Sequence, residues 1–137
     1  MIGILLVAHG NLGASLIDCA THILGSTPEK VAALNVAYPE DPAAMLENAA
    51  QLMRELDDPE GVLVLSDMYG ATPCNTVCRL LEPGHVEAVA GVNLPMLLKV
   101  LTNRQLPLAE LAAKAELRGR EGITHITDLL CDATKGA

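Results

Sequence analysis

Val62–Asn75 reads VLVLSDMYGATPCN. An apolar run stops at Ser66 and Asp67, the turn residues Gly70, Thr72 and Pro73 follow, and an apolar helix-like stretch begins near Asn75. A short continuous apolar run bounded by turn residues marks a strand buried on both faces of a sheet. Ile2–Leu16, IGILLVAHGNLGASL, has the same grammar: an apolar run, then His9 and Gly10, then a helical pattern. Two strand-to-helix turns therefore end in chemically active side chains, a histidine in one and an acid in the other.

Outward from these turns the pattern repeats. Gly3–Ala8 is the first strand. Leu12–Leu24 carries Leu12, Leu16, Ile17, Ala20, Ile23 and Leu24 on one helical stripe, with Gly25 as its stop. Val31–Val36 is a second strand. Asp41 is placed to cap a helix with Pro42 at its first position, and Ala43–Leu56 continues it to the break at DDPEG. Val62–Leu65 is the third strand and Thr76–Leu81 lies in the third helix. Val86–Ala90 is the fourth strand and Leu94–Asn103 is helical. Leu106–Leu117 is a further helix, RGREG (118–122) interrupts the pattern, and Ile123–Thr127 has strand-like alternation. Strands alternating with helices predict an α/β fold with an open, mainly parallel sheet and helices on both faces. In such sheets a site forms beyond the carboxyl ends of the strands. If the first and third strands are neighbours, His9 and Asp67 share one crevice.

The 137 residues suffice for one domain, taken as 1–137. Half of them are hydrophobic, but there is no Phe or Trp and there are two Tyr, so the core must be aliphatic. The net charge of -8 argues against nucleic acid and against direct binding to an anionic membrane. No segment has the length of a membrane span, and the amino-terminal residues lack the basic flank of a signal peptide. Cys19, Cys74, Cys78 and Cys131 form no CxxC pair and read as free thiols in a reducing cytoplasm. His22, His85 and His125 show no metal-ligand spacing, and no phosphate-loop or hydrolase motif occurs. Neither a metal nor another cofactor is expected.

A carboxylate on the Nδ1–H of an imidazole fixes the tautomer and leaves Nε2 with a free lone pair. Thr72 is a candidate N-cap with Pro73 at the first helical position. The free N–H groups and dipole of such a helix start favour a phosphoryl dianion. His9, Asp67 and this helix start suffice for reversible phosphoryl transfer through the histidine. The pattern alone equally admits a structural histidine, a capping aspartate and an ordinary helix start.

Three blocks, IGILLVAHGNLGASL (2–16), GVLVLSDMYGATPCNTVCRLL (61–81) and EAVAGVNLPMLLKVL (87–101), with a weaker fourth, GREGI (119–123), run in order over nearly the whole chain. Together they resemble the EIIA domain of the mannose-type branch of the bacterial phosphoenolpyruvate-dependent sugar phosphotransferase system. The resemblance implies the first and third strands side by side and a cytoplasmic phosphocarrier that meets the membrane only through a transporter complex. It implies that His9 accepts a phosphoryl group on Nε2 from phospho-HPr and passes it to EIIB. It further implies that Asp67 orients His9 and that Thr72, with Gly70 and Ala71, lines the phosphoryl pocket. It implies a homodimer formed by exchange of a C-terminal edge strand, for which Ile123–Thr127 is the candidate, beside about four parallel strands. Ala71 stands where the family usually has a second glycine, and Cys74 where it has an aromatic residue. With no linker after Ala137, a separate EIIB polypeptide is expected. A regulatory EIIA acting by protein binding, the phosphocarrier subunit of a dihydroxyacetone kinase, and a small-ligand α/β domain are the alternative readings.

Overall fold

The computed structural model describes residues 1–36, 41–69 and 72–129, with only the backbone of 72–74. Nine elements follow in order: β1 (Gly3–His9), α1 (Leu12–Leu24), β2 (Val31–Val36), α2 (Pro42–Leu56), β3 (Val62–Ser66), α3 (Thr72–Leu80), β4 (Val86–Ala90), α4 (Leu94–Leu101) and α5 (Leu108–Glu121). The four strands form one parallel sheet in the order β2-β1-β3-β4. The first and third strands are thus neighbours, with Val7 opposite Ser66 in the last register pair. The chain leaves β1 toward β2 on one side and leaves β3 toward β4 on the other. The switch point lies between the carboxyl ends of β1 and β3, where an open sheet offers a crevice.

The central strands β1 and β3 are buried on both faces, which explains their unbroken apolar runs. Ile4, Leu6, Leu63 and Leu65 face one way and join α1, α4 and α5 through Ala20, Leu97, Val100 and Leu111. Leu5, Val7, Val62 and Val64 face the other way and join α2 and α3 through Met45, Ala49 and Val77. At the end of the sheet remote from His9, the buried Arg104 guanidinium donates to the carbonyls of Ile2, Glu29 and Lys30, tying the starts of β1 and β2 together. No helix among the described residues is long and apolar enough to cross a membrane.

Local signals largely act as expected. The Asp41 carboxylate accepts from the Ala43 N–H at 3.2 Å with Pro42 opening α2, and Gly25 closes α1. Three expectations need correction. RGREG does not interrupt the last helix; α5 runs through Arg118 to Glu121, and Gly122 caps it. Gly119 is tolerated there because a Cβ at that position would stand 2.6 Å from Cε of Met96, so the missing side chain permits close packing of α5 on α4. Thr72 is the first helical residue of α3 and Pro73 the second, one position earlier than read from the sequence.

The third correction concerns Ile123–Thr127, which forms no strand. Residues 123–125 are irregular and a helical segment covers 126–129. The two isoleucines stand three apart, a helical spacing. The amides of Asp128 and Leu129 both donate to the His125 carbonyl, as helical turns require. No fifth strand occurs among the described residues.

Candidate functional site

The sheet delivers both side chains to one place. His9 is the last residue of β1, and Gly10, at φ +54°, turns the chain off the sheet behind it. That left-handed conformation suits glycine, and the Gly10 amide donates to the Val36 carbonyl at 2.8 Å, fixing the turn against β2. Asp67 directly follows β3, one residue beyond the last register pair. Parallel pairing therefore sets the carboxylate against the end of β1.

One carboxylate oxygen takes two bonds. Oδ2 of Asp67 accepts from the backbone N–H of His9 at 3.0 Å and from its ring Nδ1 at 2.8 Å. The same residue thus offers its amide and its imidazole to a single acceptor, which fixes both the position and the plane of the ring. The Asp67 side chain is 11% exposed, whereas that of His9 is 51% exposed. Burial pushes the Asp67 carboxyl up, but the His9 amide and ring outweigh it and hold the group below its ordinary value. An ionised carboxylate can only accept, so Nδ1 carries a proton, and in the neutral ring Nε2 then keeps its lone pair. Nε2 makes no hydrogen bond among the described residues. The second oxygen of Asp67, Oδ1, is enclosed and also has no partner there.

The remaining expected site residues stand apart from this description. Thr72 begins α3, and its backbone places a helix amino terminus after the Asp67 turn. Its side chain, and all of Gly70 and Ala71, lie outside the described residues. Cys74 is described only as a helical backbone position. The other histidines are elsewhere: His22 in the last turn of α1, His85 on Asp57 before β4, and His125 on Asp128. Among the described residues, no three His, Cys, Asp or Glu side chains converge as metal ligands would.

Two features escaped the sequence reading. Nε2 of His85 and Oδ1 of Asp57 stand 2.6 Å apart, joining the end of α2 to the turn before β4. Neither residue lies in a recognisable motif, and the pairing depends on tertiary approach across 28 residues. Met68 and Tyr69, directly after Asp67, are 57% and 82% exposed. Their only sequence signal is two large apolar side chains placed after a strand end. Beside Tyr69, a groove of about 570 Å³ follows the free edge of β4, bordered by Ala90, Asn93, Arg120 and Ile123.

Comparisons with known proteins agree on one family and fold. Residues 3–116 match the model of the EIIA-man family, described as "PTS system fructose IIA component". The chain is 34% identical over 125 residues to the mannose-specific EIIAB component of the PTS system of Escherichia coli (strain K12), a match covering 89% of this chain and 38% of that protein. The chain thus spans about two fifths of that relative's length. It is 29% identical over 106 residues to the fructose-specific EIIA component of Bacillus subtilis (strain 168), covering 77% of this chain and 72% of that one. Among solved structures, the phosphotransferase system component EIIA from Streptococcus agalactiae superposes with a TM-score of 0.81 at 28% identity, over 93% of this chain and 99% of that one. The chain belongs to the mannose-type EIIA family of the phosphotransferase system.

Proposed function

We propose that this chain is a histidine phosphocarrier that takes a phosphoryl group from phospho-HPr onto His9 and gives it to an EIIB protein in sugar uptake. The observation that carries this reading is the 2.8 Å contact between Nδ1 of His9 and Oδ2 of Asp67 on a half-exposed ring. The Nε2 lone pair attacks phosphorus as the donor's P–N bond breaks. A new P–Nε2 bond forms, and the electron pair of the broken bond returns to the donor ring nitrogen. The His9 ring then bears a positive charge that the Asp67 carboxylate stabilises through Nδ1–H. The charge separation is reversible, and transfer to the acceptor is the same step run outward.

The start of α3 fits the phosphoryl group. A nine-residue helix beginning at Thr72 presents its positive end after the Asp67 turn. Thr72 is assigned as a hydroxyl donor there, and Gly70 and Ala71 as the backbone around the anion. The carrier is assigned to the cytoplasm and to a homodimer. The free edge of β4 and the exposed Ile123, Ile126 and Leu129 that follow α5 supply apolar surface for self-association.

The test is incubation with phosphoenolpyruvate, Enzyme I and HPr, followed by intact-mass analysis. The wild type should gain one phosphoryl group that is acid-labile and alkali-stable. His9→Ala should gain none while keeping its circular dichroism spectrum. Equal labelling of the variant would overturn the assignment.

A further inference from the structure

We infer that the cavity between α2 and α3 at the amino-terminal end of the sheet binds a small organic phosphate, held by Arg54 and Arg79. The cavity encloses about 720 Å³, a size ordinary for small-molecule sites. It lies away from the phosphorylatable ring, because His85 on its wall directly precedes β4, whereas His9 ends the parallel β1. Met53, Leu80 and Val86 give it apolar walls, and Arg54 of α2 and Arg79 of α3 line it from two different helices.

Charge singles this cavity out. The chain has 17 Asp and Glu against 9 Lys and Arg, so an arginine has ample chance of an ion pair. Each of these two has an acid three residues on, Asp57 after Arg54 and Glu82 after Arg79, and both acids line the same cavity. Asp57 instead takes His85, with Oδ1 and Nε2 2.6 Å apart. Neither arginine makes an ion pair or a side-chain hydrogen bond among the described residues. The Asp57 contact raises the His85 pKa, so the ring offsets the charge of its partner. Two guanidinium groups then stand against the one Glu82 carboxylate. A phosphate dianion answers that excess, and its oxygens suit the planar guanidinium fork. A bare phosphate would leave the apolar walls uncovered, so the ligand carries a short carbon body.

Arginines in a last turn also favour the carbonyl end of their own helix, a role that needs no ligand. Amide NMR of the full chain, titrated with glycerol 3-phosphate, inorganic phosphate and malate, separates the two roles. Glycerol 3-phosphate should give saturable shifts at Arg54, Arg79 and His85, half complete on the order of 1 mM. Inorganic phosphate, without the carbon body, and malate, without the tetrahedral dianion, should each need about tenfold more. Arg54→Gln and Arg79→Gln should each raise the glycerol 3-phosphate value about tenfold with an unchanged circular dichroism spectrum. His9→Ala should leave these shifts in place. The absence of saturable shifts, or shifts confined to His9 and its neighbours, would overturn the site. An unchanged half-saturating concentration in both arginine variants would overturn it too, and is what helix-end arginines alone would give. Malate binding as tightly as glycerol 3-phosphate would overturn the phosphate assignment, and inorganic phosphate doing so would overturn the carbon body.

Discussion

Asp67→Asn keeps a hydrogen-bond partner beside Nδ1 but removes the charge that stabilises the phosphorylated ring, and its amide can select the wrong tautomer. Rapid-quench measurement of transfer from phospho-HPr should show a rate lower by roughly 10- to 200-fold, a barrier increase of about 1.4 to 3 kcal/mol. An unchanged rate would remove Asp67 from its orienting role. A second histidine–acid pair supplies a pH test of stability. The contact with Asp57 raises the His85 pKa above the ordinary histidine value, and the same contact lowers that of Asp57 below the usual carboxylate value. A raised histidine stabilises the fold below its unfolded pKa, and that contribution disappears as pH rises through the folded value. The lowered acid contributes above its unfolded pKa and loses that as pH falls through its folded one. Wild type should therefore exceed His85→Gln in melting temperature most between about pH 4 and 6.5, with the gap closing at higher pH. A gap that widens with pH would show that the pair does not carry the effect.

At the scale of elements, Asn93 connects two helices. Its Oδ1 accepts from the Met96 N–H at 3.0 Å, capping α4, and its Nδ2 donates to the Gly119 carbonyl of α5 at 2.9 Å. Asn93→Ala removes both bonds and should lower unfolding free energy by about 1–2 kcal/mol in urea titration. A loss below a few tenths would mean that water replaces both. This contact also shows where sequence reading ends. The strands and α1 were legible because their signals are local: apolar runs, a helical stripe, Asp41 before Pro42, Gly25 after Leu24. The continuation of α5 through Gly119 was not, because the reason for that glycine is Met96 on another helix. Ile123–Thr127 misled because five residues suit either period, and the hydrogen bonds to the His125 carbonyl decide for a helical turn. His9 and Asp67 were visible as strand-end residues. Their contact needed the β1–β3 pairing, which no local pattern encodes.

For the whole molecule, β4 is one of the two edge strands of the sheet, and Ile123 beside it is 79% exposed. Unpaired edges invite pairing unless covered. A homodimer covering this edge should appear by sedimentation velocity at tens of micromolar, a concentration where association of about micromolar affinity is largely complete. Ile123→Lys should weaken it, and a monomer at that concentration would defeat the dimer. The larger design separates two ends of one sheet. Arg104 and the His85–Asp57 pair secure the amino-terminal ends of the strands, while the carboxyl ends hold a ring that is fixed on one nitrogen and open on the other. Proton–nitrogen correlation NMR of the phosphorylated protein reads this division of the His9 ring. Phosphorus should sit on Nε2 of His9 with the proton retained on Nδ1 against Asp67. Phosphorus on Nδ1, or on any other histidine, would contradict it.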